Sequence, residues 1–206
     1  MFYLIKTPWI IKKYYYGCVW DIPSEEKVLY LTFDDGPHPV ATPFILEQLK
    51  KYQARATFFC IGKNVKEEHE LYKKIMDEGH RVGNHTHNHL KGTKTSDLKY
   101  FENIQQAAKY IDSNLFRPPY GRISRFQIDT LRKKFHYKIV MWDILSADFD
   151  RSLTGEKCAA NVIANAKPGS IVIFHDSQKA WDRLQIALPK VLEYFATNGY
   201  KFKSIQ

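Results

Sequence analysis

Residues 28–37, VLYLTFDDGP, join a continuous apolar run to two carboxylates and a turn. An unbroken apolar run that ends in turn residues is typical of a strand buried on both faces of a parallel sheet. Two other short runs also lead into polar residues: IVIF, residues 171–174, precedes His175, and HRVGN, residues 80–84, precedes His85. Active sites of parallel α/β folds form where strands end. The sequence therefore predicts an α/β protein whose functional side chains meet at one edge of the sheet.

Strand-like and helix-like segments alternate along the rest of the chain. The predicted strands cover residues 28–33, 54–60, 80–84, 115–117, 137–142, 170–174 and 200–203. The predicted helices cover residues 41–52, 65–78, 97–112, 124–134, 157–166 and 181–197. This alternation favours a parallel sheet, and about seven strands in one domain favour an incomplete barrel over an open sheet.

Composition limits the classes of partner. The formal net charge is +9, but the basic residues are scattered, which indicates a solvated basic surface and no specific nucleic-acid partner. No apolar run reaches the roughly 18 residues of a membrane-spanning helix. The cysteines, Cys18, Cys60 and Cys158, form neither a disulfide framework nor a metal motif. The composition does not distinguish a monomer from an oligomer.

The N-terminal segment is both aromatic and basic. We expect residues 1–27 to form an arm packed on a catalytic domain of residues 28–206. No clear signal peptide is present, which favours the cytoplasm, although the arm would suit a peripheral contact with the cell envelope. The segment is too short and irregular to establish membrane binding from its sequence.

The carboxylate pair is the first candidate for chemistry. Successive strand residues point to opposite faces, so Asp34 and Asp35 can serve one site only where the strand ends and the backbone turns. Gly36 and Pro37 supply that turn. Two adjacent negative charges repel each other unless a cation lies beside them. The alternative is an ordinary surface turn.

Three histidines within five residues, His85, His87 and His89, are the candidate metal ligands. A helical segment would place His85 and His89 on one face, whereas an extended segment would place all three on one face. With one carboxylate of the Asp34–Asp35 pair, two histidines would form a metal site with open positions for water and substrate. Spacing alone leaves the choice of ligands open.

Further polar residues follow the other predicted strands. His175 ends a strand and could be an acid–base group or a structural histidine. The segment from Arg117 to Gly121, RPPYG, is a rigid loop after another strand, in which the arginine could pair with a carboxylate. Asp143 and Asp148 follow the next strand, and we expect both carboxylates near the same end of the sheet.

Five motifs, in this order, resemble those of polysaccharide deacetylases with the NodB homology domain, carbohydrate esterase family 4. The first three are TFDDG at residues 32–36, H-[ST]-x-x-H at residues 85–89 and R-x-P-Y-G at residues 117–121. The fourth, around D-x-x-D-W, corresponds to residues 145–149, and the fifth, L-x-H, to residues 173–175. The resemblance begins near Val28, extends to the C-terminus and implies a distorted (β/α)7 barrel.

The resemblance implies a metal-dependent hydrolase that removes N-acetyl groups from sugars. It implies that Asp35, His85 and His89 hold one divalent metal, and that His87 is not a ligand. Zinc is the expected ion, and cobalt, manganese, nickel or magnesium are alternatives.

The resemblance also implies the catalytic roles. Asp34 would be the general base that activates water, and Arg117 would orient it. His175 would protonate the leaving amine, Asp148 would tune the pKa of His175, and the backbone N–H of Tyr120 would stabilise the oxyanion. An amide nitrogen leaves poorly unless it is protonated, so the reaction needs an acid as well as a base.

The residues expected to contact substrate are Tyr120, Phe149, Ile173 and Trp142. The fourth motif departs from the family pattern, because Leu145 replaces an aspartate and Phe149 replaces a tryptophan. The expected substrate is an N-acetylated glycan, such as a chitin-like oligomer, peptidoglycan or a surface polysaccharide. The alternatives are hydrolysis of a small non-sugar amide on the same scaffold and a non-catalytic glycan-binding module, and the intact acid, base and metal motifs disfavour the second.

Overall fold

Strand β2, Val28–Asp34, lies inside the sheet because its side chains are apolar on both faces. It pairs in parallel with β3 on one side and with β8 on the other, and its first residues also pair with β9. The structure is a computed structural model that describes residues 3–206, so residues 1–2 of the predicted arm lie outside the described residues.

The strands form one curled sheet in the order β1-β6-β5-β4-β3-β2-β8-β7, and the pairs of this path are parallel. The strands are β1 Cys18–Val19, β2 Val28–Asp34, β3 Thr57–Cys60, β4 Arg81–Asn84, β5 Leu115–Phe116, β6 Lys138–Val140, β7 Ile144–Leu145, β8 Ile171–His175 and β9 Lys201–Phe202. The predicted α/β class and distorted barrel are confirmed.

Helices cover the outside of the sheet. They are α1 Trp9–Tyr14, α2 Ala41–Lys51, α3 Gly62–Glu67, α4 His69–Asp77, α5 Asp97–Ala108, α6 Arg125–Lys133, α7 Gly155–Ile163 and α8 Trp181–Thr197. The main core lies between β2, β3, β8 and these helices, where Phe33 stacks on Phe58 and Phe174 with ring centroids 5.0 and 6.1 Å apart. Within residues 3–206, no helix is both long and apolar enough to cross a membrane.

The N-terminal segment contacts both edges of the sheet. The N–H of Leu145 in β7 donates to the carbonyl oxygen of Ile5 at 2.8 Å, and the N–H of Thr7 donates to that of Asp143 at 2.8 Å. Farther along the segment, β1 pairs with β6 at the opposite edge. Residues 3–27 therefore bridge the gap that would otherwise separate β6 from β7.

Two predicted elements differ from those observed. The predicted helix at residues 65–78 is two helices, α3 and α4, because Glu68 between them has φ −114° and ψ 47°. The predicted strand at residues 137–142 ends at Val140, and β7 is a separate strand that starts at Ile144. The break between β6 and β7 decides where Asp143 lies.

Candidate functional site

The carboxyl ends of β2, β4 and β8 bring the predicted polar residues to one edge of the sheet. Asp34 is the register partner of His175 on the neighbouring strand β8. His85 follows the last residue of β4, and its N–H donates to the carbonyl oxygen of Cys60, the last residue of β3, at 2.9 Å. Three chain segments far apart in sequence therefore meet at this edge.

The turn after β2 lets both aspartates face the site. Asp35 has φ 84°, a left-handed conformation that is uncommon for residues other than glycine. The N–H of Gly36 donates to Asp176 Oδ1 at 2.9 Å, and Asp176 Oδ2 accepts from Thr42 Oγ1 at 2.7 Å. A Cβ atom at Gly36 would clash with the Asp176 carboxylate, so this close approach requires glycine. The position of Asp176 next to His175 in the sequence does not predict this role.

Asp35, His85 and His89 form a cluster with the spacing of a metal site. One ligand atom from each lies within 4.8 Å of the other two. The Oδ1 atom of Asp35 is 3.1 Å from His89 Nε2 and 3.7 Å from His85 Nε2. Tetrahedral zinc with bonds near 2.1 Å holds its ligand atoms about 3.4 Å apart. The spacing of these donors therefore fits a divalent ion.

The protonation states at the cluster favour ligation. His85 Nδ1 donates to the carbonyl oxygen of Arg117 at 2.7 Å, which leaves the lone pair on Nε2 directed at the cluster. Burial lowers the pKa of His85 to about 4, so the imidazole is neutral. Burial by itself would raise the pKa of Asp35, but the hydrogen bond from His89 and the charge of His175 lower it below its usual range. The carboxylate is therefore ionised.

His87 lies outside this cluster. Its ring is buried beside Gly62 and stacks on Tyr110 with ring centroids 5.8 Å apart. Thr86 has φ 65° and His89 has φ 55°, so the segment is neither a helix nor a strand. Because of these two left-handed residues, His85 and His89 converge on Asp35 while His87 turns away.

Arg117 is completely buried beneath Asp34. Its Nη1 donates to Asp34 Oδ1 at 2.7 Å and to Thr32 Oγ1 at 2.7 Å. Its Nε and Nη2 donate to the carbonyl oxygens of Val140 and Met141 at 3.1 and 2.7 Å. These bonds hold one carboxylate oxygen of Asp34, and the other lies 3.7 Å from His85 Nε2, beside the metal cluster.

His175 is paired with a fully buried Asp148. Its Nδ1 donates to Asp148 Oδ1 at 2.7 Å, and its backbone N–H donates to Asp148 Oδ2 at 2.8 Å. Burial alone would lower the pKa of His175, but the charge and hydrogen bond of Asp148 raise it to about 9. Because Nδ1 is held by Asp148, Nε2 is the atom that can transfer a proton.

Tyr120 lies on the other side of the metal cluster. Its ring centroid is 4.6 Å from that of His89, and its side chain is 56% exposed. It has φ 61° in the turn Pro119–Gly121. Within residues 3–206, the backbone N–H of Tyr120 forms no hydrogen bond, so it is available to a ligand.

The other three predicted substrate residues form one apolar cluster near His175. Ile173 is buried with Leu145 and Ala147, and Trp142 and Phe149 pack against them. The ring of Phe149 also meets the ring of His175 edge-on, with centroids 5.4 Å apart.

The arm completes this cluster, a contact that the sequence does not predict. Tyr3 and Ile5 pack against it, and the centroid of the Tyr3 ring is 5.4 Å from that of Phe149. The Tyr3 hydroxyl donates to Asp150 at 2.5 Å. The aromatic composition of the arm was the available signal, but its place beside Phe149 depends on long-range strand pairing.

The expectation that Asp143 lies with Asp148 at the site is wrong. Asp143 is buried, binds Lys12 Nζ at 2.7 Å and accepts a hydrogen bond from Ser170 Oγ at 2.7 Å. The residue lies just before β7, whereas Asp148 lies after it. Asp143 therefore fixes the arm to the barrel at the opposite end of that short strand.

Comparisons with known proteins agree with this geometry. The family model for polysaccharide deacetylases matches residues 21–140. A peptidoglycan-N-acetylglucosamine deacetylase of Bacillus cereus is 38% identical over 192 residues, which cover 90% of each protein. A chitooligosaccharide deacetylase of Azorhizobium caulinodans is 34% identical over 162 residues, 75% of this chain and 76% of the relative.

The fold comparison covers almost the whole chain. The crystal structure of the Bc1960 peptidoglycan N-acetylglucosamine deacetylase, in complex with 4-naphthalen-1-yl-N-oxidanyl-benzamide, superposes with a TM-score of 0.87 at 29% identity. The match covers 97% of this chain and 95% of that chain. The similarity therefore includes the arm as well as the motifs.

Proposed function

This chain belongs to the polysaccharide deacetylase family, and we propose on that premise that it is a metal-dependent hydrolase that removes N-acetyl groups from a glycan. The observation that carries the proposal is the pairing of Asp34 with Arg117 and of His175 with Asp148 beside three converging metal ligands. A held base, a held acid and a cation site are the groups that amide hydrolysis needs.

Asp35, His85 and His89 would hold one divalent ion, and zinc fits the two imidazoles and one carboxylate best. When bound, such an ion polarises the acetamide carbonyl and makes water a stronger nucleophile at neutral pH. The neutral His85 and the ionised Asp35 require no change in protonation before they bind it.

Asp34 would act as the general base. Arg117 holds its Oδ1 atom, which leaves Oδ2 to accept a proton from water as the water oxygen attacks the carbonyl carbon. The buried guanidinium also keeps the carboxylate from rotating, because three further hydrogen bonds, to Val140, Thr32 and Met141, fix the guanidinium itself. Arg117 is thus a positioning residue.

His175 would act as the general acid. Protonated at neutral pH, it would donate the Nε2 proton to the amide nitrogen as the carbon–nitrogen bond breaks, releasing acetate and a free amine. Asp34 and His175 extend from neighbouring strands, so the two proton transfers can occur on different sides of one carbonyl group.

Two further groups would position the acetyl unit. The free N–H of Tyr120 would donate to the oxyanion that forms when water attacks. The apolar cluster of Ile173, Trp142 and Phe149 would receive the acetyl methyl group, and Leu145 extends that wall. An apolar wall favours a methyl group over a charged one.

A glycan is favoured over a small amide by the surface around the site. Tyr120 and Phe149 lie on two sides of the cluster, beside His89 and His175. Lys91 Nζ is 4.7 Å from the Tyr120 ring, and Lys179 Nζ is 5.4 Å from the Phe149 ring. Aromatic faces bury the apolar face of a sugar ring, and the lysines suit anionic groups on neighbouring residues of a polymer.

We further propose that residues 28–206 form the catalytic unit and that the protein works at the cell envelope, where wall polymers occur. Activity on small non-sugar amides in place of glycans would favour the cytoplasm. The intact acid, base and metal ligands weigh against a non-catalytic binding module.

Acetate release tests this proposal. The metal-loaded protein is incubated with N-acetylglucosamine oligomers, with peptidoglycan and with a panel of small amides, and acetate and free amine are measured. We expect equal amounts of both products from at least one glycan and none from the Asp34→Asn protein. Turnover of small amides alone would indicate a small-molecule substrate instead of a glycan. No turnover of any substrate by folded, metal-loaded protein would refute the proposal that the protein is an enzyme.

A further inference from the structure

An aromatic surface lies on the outside of the arm, away from the groups that bind metal. In helix α1 and the turn after it, Trp9 is 70%, Ile10 62%, Tyr14 54% and Tyr16 61% exposed. We call these four residues the α1 patch. Large apolar side chains this exposed and this close in sequence mark an interaction surface, whereas isolated ones do not.

The opposite side of α1 is firmly attached to the barrel. Lys12 Nζ binds Asp143 of the barrel at 2.7 Å and Asp21, farther along the arm, at 2.5 Å. The ring of Tyr15 packs near that of Trp20, with centroids 6.4 Å apart. The helix is therefore fixed with Trp9, Ile10 and Tyr14 exposed to solvent.

Cations lie among the exposed rings. Lys13 Nζ is 5.9 Å from the Trp9 ring, and the Arg125 guanidinium is 4.1 Å from the Tyr14 ring. Arg125 also donates to the carbonyl oxygen of Tyr14 at 3.3 Å. The nearby carboxylates of Asp21 and Asp143 are already paired with Lys12. Neither Lys13 nor Arg125 pairs with a carboxylate of residues 3–206, so the outward face combines aromatic rings with positive charge.

We propose that the α1 patch binds the surface of an anionic lipid bilayer. Tryptophan and tyrosine are enriched where hydrocarbon meets headgroups, because their rings have an apolar body and a polar edge. Lysine and arginine beside them are attracted to anionic headgroups. This combination is that of an interfacial contact rather than a spanning segment.

Charge favours an anionic bilayer over a second copy of the chain as the partner of the α1 patch. The protein carries a formal net charge of +9, and two facing patches would bring Lys13 and Arg125 against their counterparts. Like charges that face each other across an interface oppose association. Since α1 has only six residues, we expect a reversible attachment that needs both the aromatic and the charged groups.

Vesicle sedimentation tests the proposal with the full chain. The protein is mixed with vesicles of phosphatidylcholine alone and with vesicles of equimolar phosphatidylglycerol and phosphatidylcholine. We expect sedimentation with the anionic vesicles only, weakened by salt. The Trp9→Ser/Ile10→Ser protein should bind about tenfold or more weakly, because the apolar residues no longer insert. The Lys13→Gln protein should bind about fivefold more weakly.

Matched controls separate this surface from the active site. Met76→Ser on α4 and Tyr194→Ser on α8 remove exposed apolar side chains elsewhere and should leave binding unchanged. All variants should release acetate from soluble oligomers at the wild-type rate. Equal vesicle binding by the Trp9→Ser/Ile10→Ser and wild-type proteins would refute the proposal. Failure of the wild-type protein to bind anionic vesicles, with binding to lipid-free wall polymer or self-association instead, would also refute it.

Discussion

Replacing Asp148 with asparagine should shift the alkaline limb of the pH–rate profile to lower pH. Asp148 is fully buried and receives hydrogen bonds from both the ring and the backbone N–H of His175. Asparagine keeps the size of the side chain but removes the negative charge that favours the imidazolium. His175 must be protonated to act as the acid, so activity falls as the pH rises through its pKa.

The size of the shift follows from the structure. The Asp148 carboxylate raises the pKa of His175 from the ordinary value of 6.5 to about 9 against the opposing effect of burial. Loss of the charge should move the limb down by about two pH units or more, which corresponds to about 3 kcal/mol. At pH 8 the protonated fraction, and with it kcat/KM, should fall by about tenfold or more. A bound cation lowers the pKa in both proteins but leaves the difference between them.

The assay is the pH dependence of acetate release by wild-type and Asp148→Asn proteins at saturating metal. Asp150→Asn is the matched control, because that carboxylate binds Tyr3 rather than His175 and its loss should leave the limb in place. Thermal unfolding of each variant confirms that the fold is retained. An Asp148→Asn protein with an unshifted alkaline limb would show that His175 is not the acid whose pKa limits activity.

The remaining predictions concern the base, the ligands and the buried pair. Asp34→Asn should keep its metal, measured by elemental analysis, and lose turnover; near wild-type activity would remove Asp34 as the base. His89→Ala should lose metal affinity markedly, and unchanged metal content after purification would exclude it from the ligand set. Arg117→Met should lose activity and about 3–5 kcal/mol of unfolding free energy, because Asp34 is left as a buried, unpaired carboxylate; denaturant unfolding with a loss below 1 kcal/mol would contradict that role.

The central strands could be predicted from sequence because their signal is local. Residues 28–33 are apolar or aromatic apart from Thr32, a pattern typical of a strand buried on both faces. By contrast, β1 and β7 have two residues each, too few to show any period. Their pairing with β6 and β8, and the arm between them, depend on contacts far apart in sequence. For this reason the sequence predicts that the arm packs on the domain but does not predict that the arm bridges the sheet.

At the candidate site, too, some features could be predicted from local sequence and others could not. Residue types and spacing indicated that aspartates and histidines would meet at the strand ends, and Asp35, His85 and His89 do converge. Spacing could not choose among the three histidines, because left-handed conformations at Thr86 and His89 give a segment that is neither helical nor extended. Only the resemblance to a family separated His87 from the ligands.

Two aspartates illustrate what sequence could not supply. Asp143 was expected at the site, yet the strand break after Val140 puts it at the opposite end of β7. Asp176 is adjacent to His175 in sequence, but because successive strand residues point to opposite faces, its side chain points away from that of His175. There it accepts a hydrogen bond from the Gly36 N–H and holds the turn. Both assignments depend on which strand each residue begins or ends, and boundaries are the least certain part of a pattern-based prediction.

The most direct test of the central claim is a metal titration of acetate release. Protein freed of metal by chelation is titrated with zinc while the release of acetate from an N-acetylated glycan is measured. The proposed site predicts no release without metal and a linear rise that stops at one ion per chain. Full activity in the chelated protein, or a rise that is the same in His89→Ala as in wild type, would contradict a metal-dependent deacetylase built on Asp35, His85 and His89.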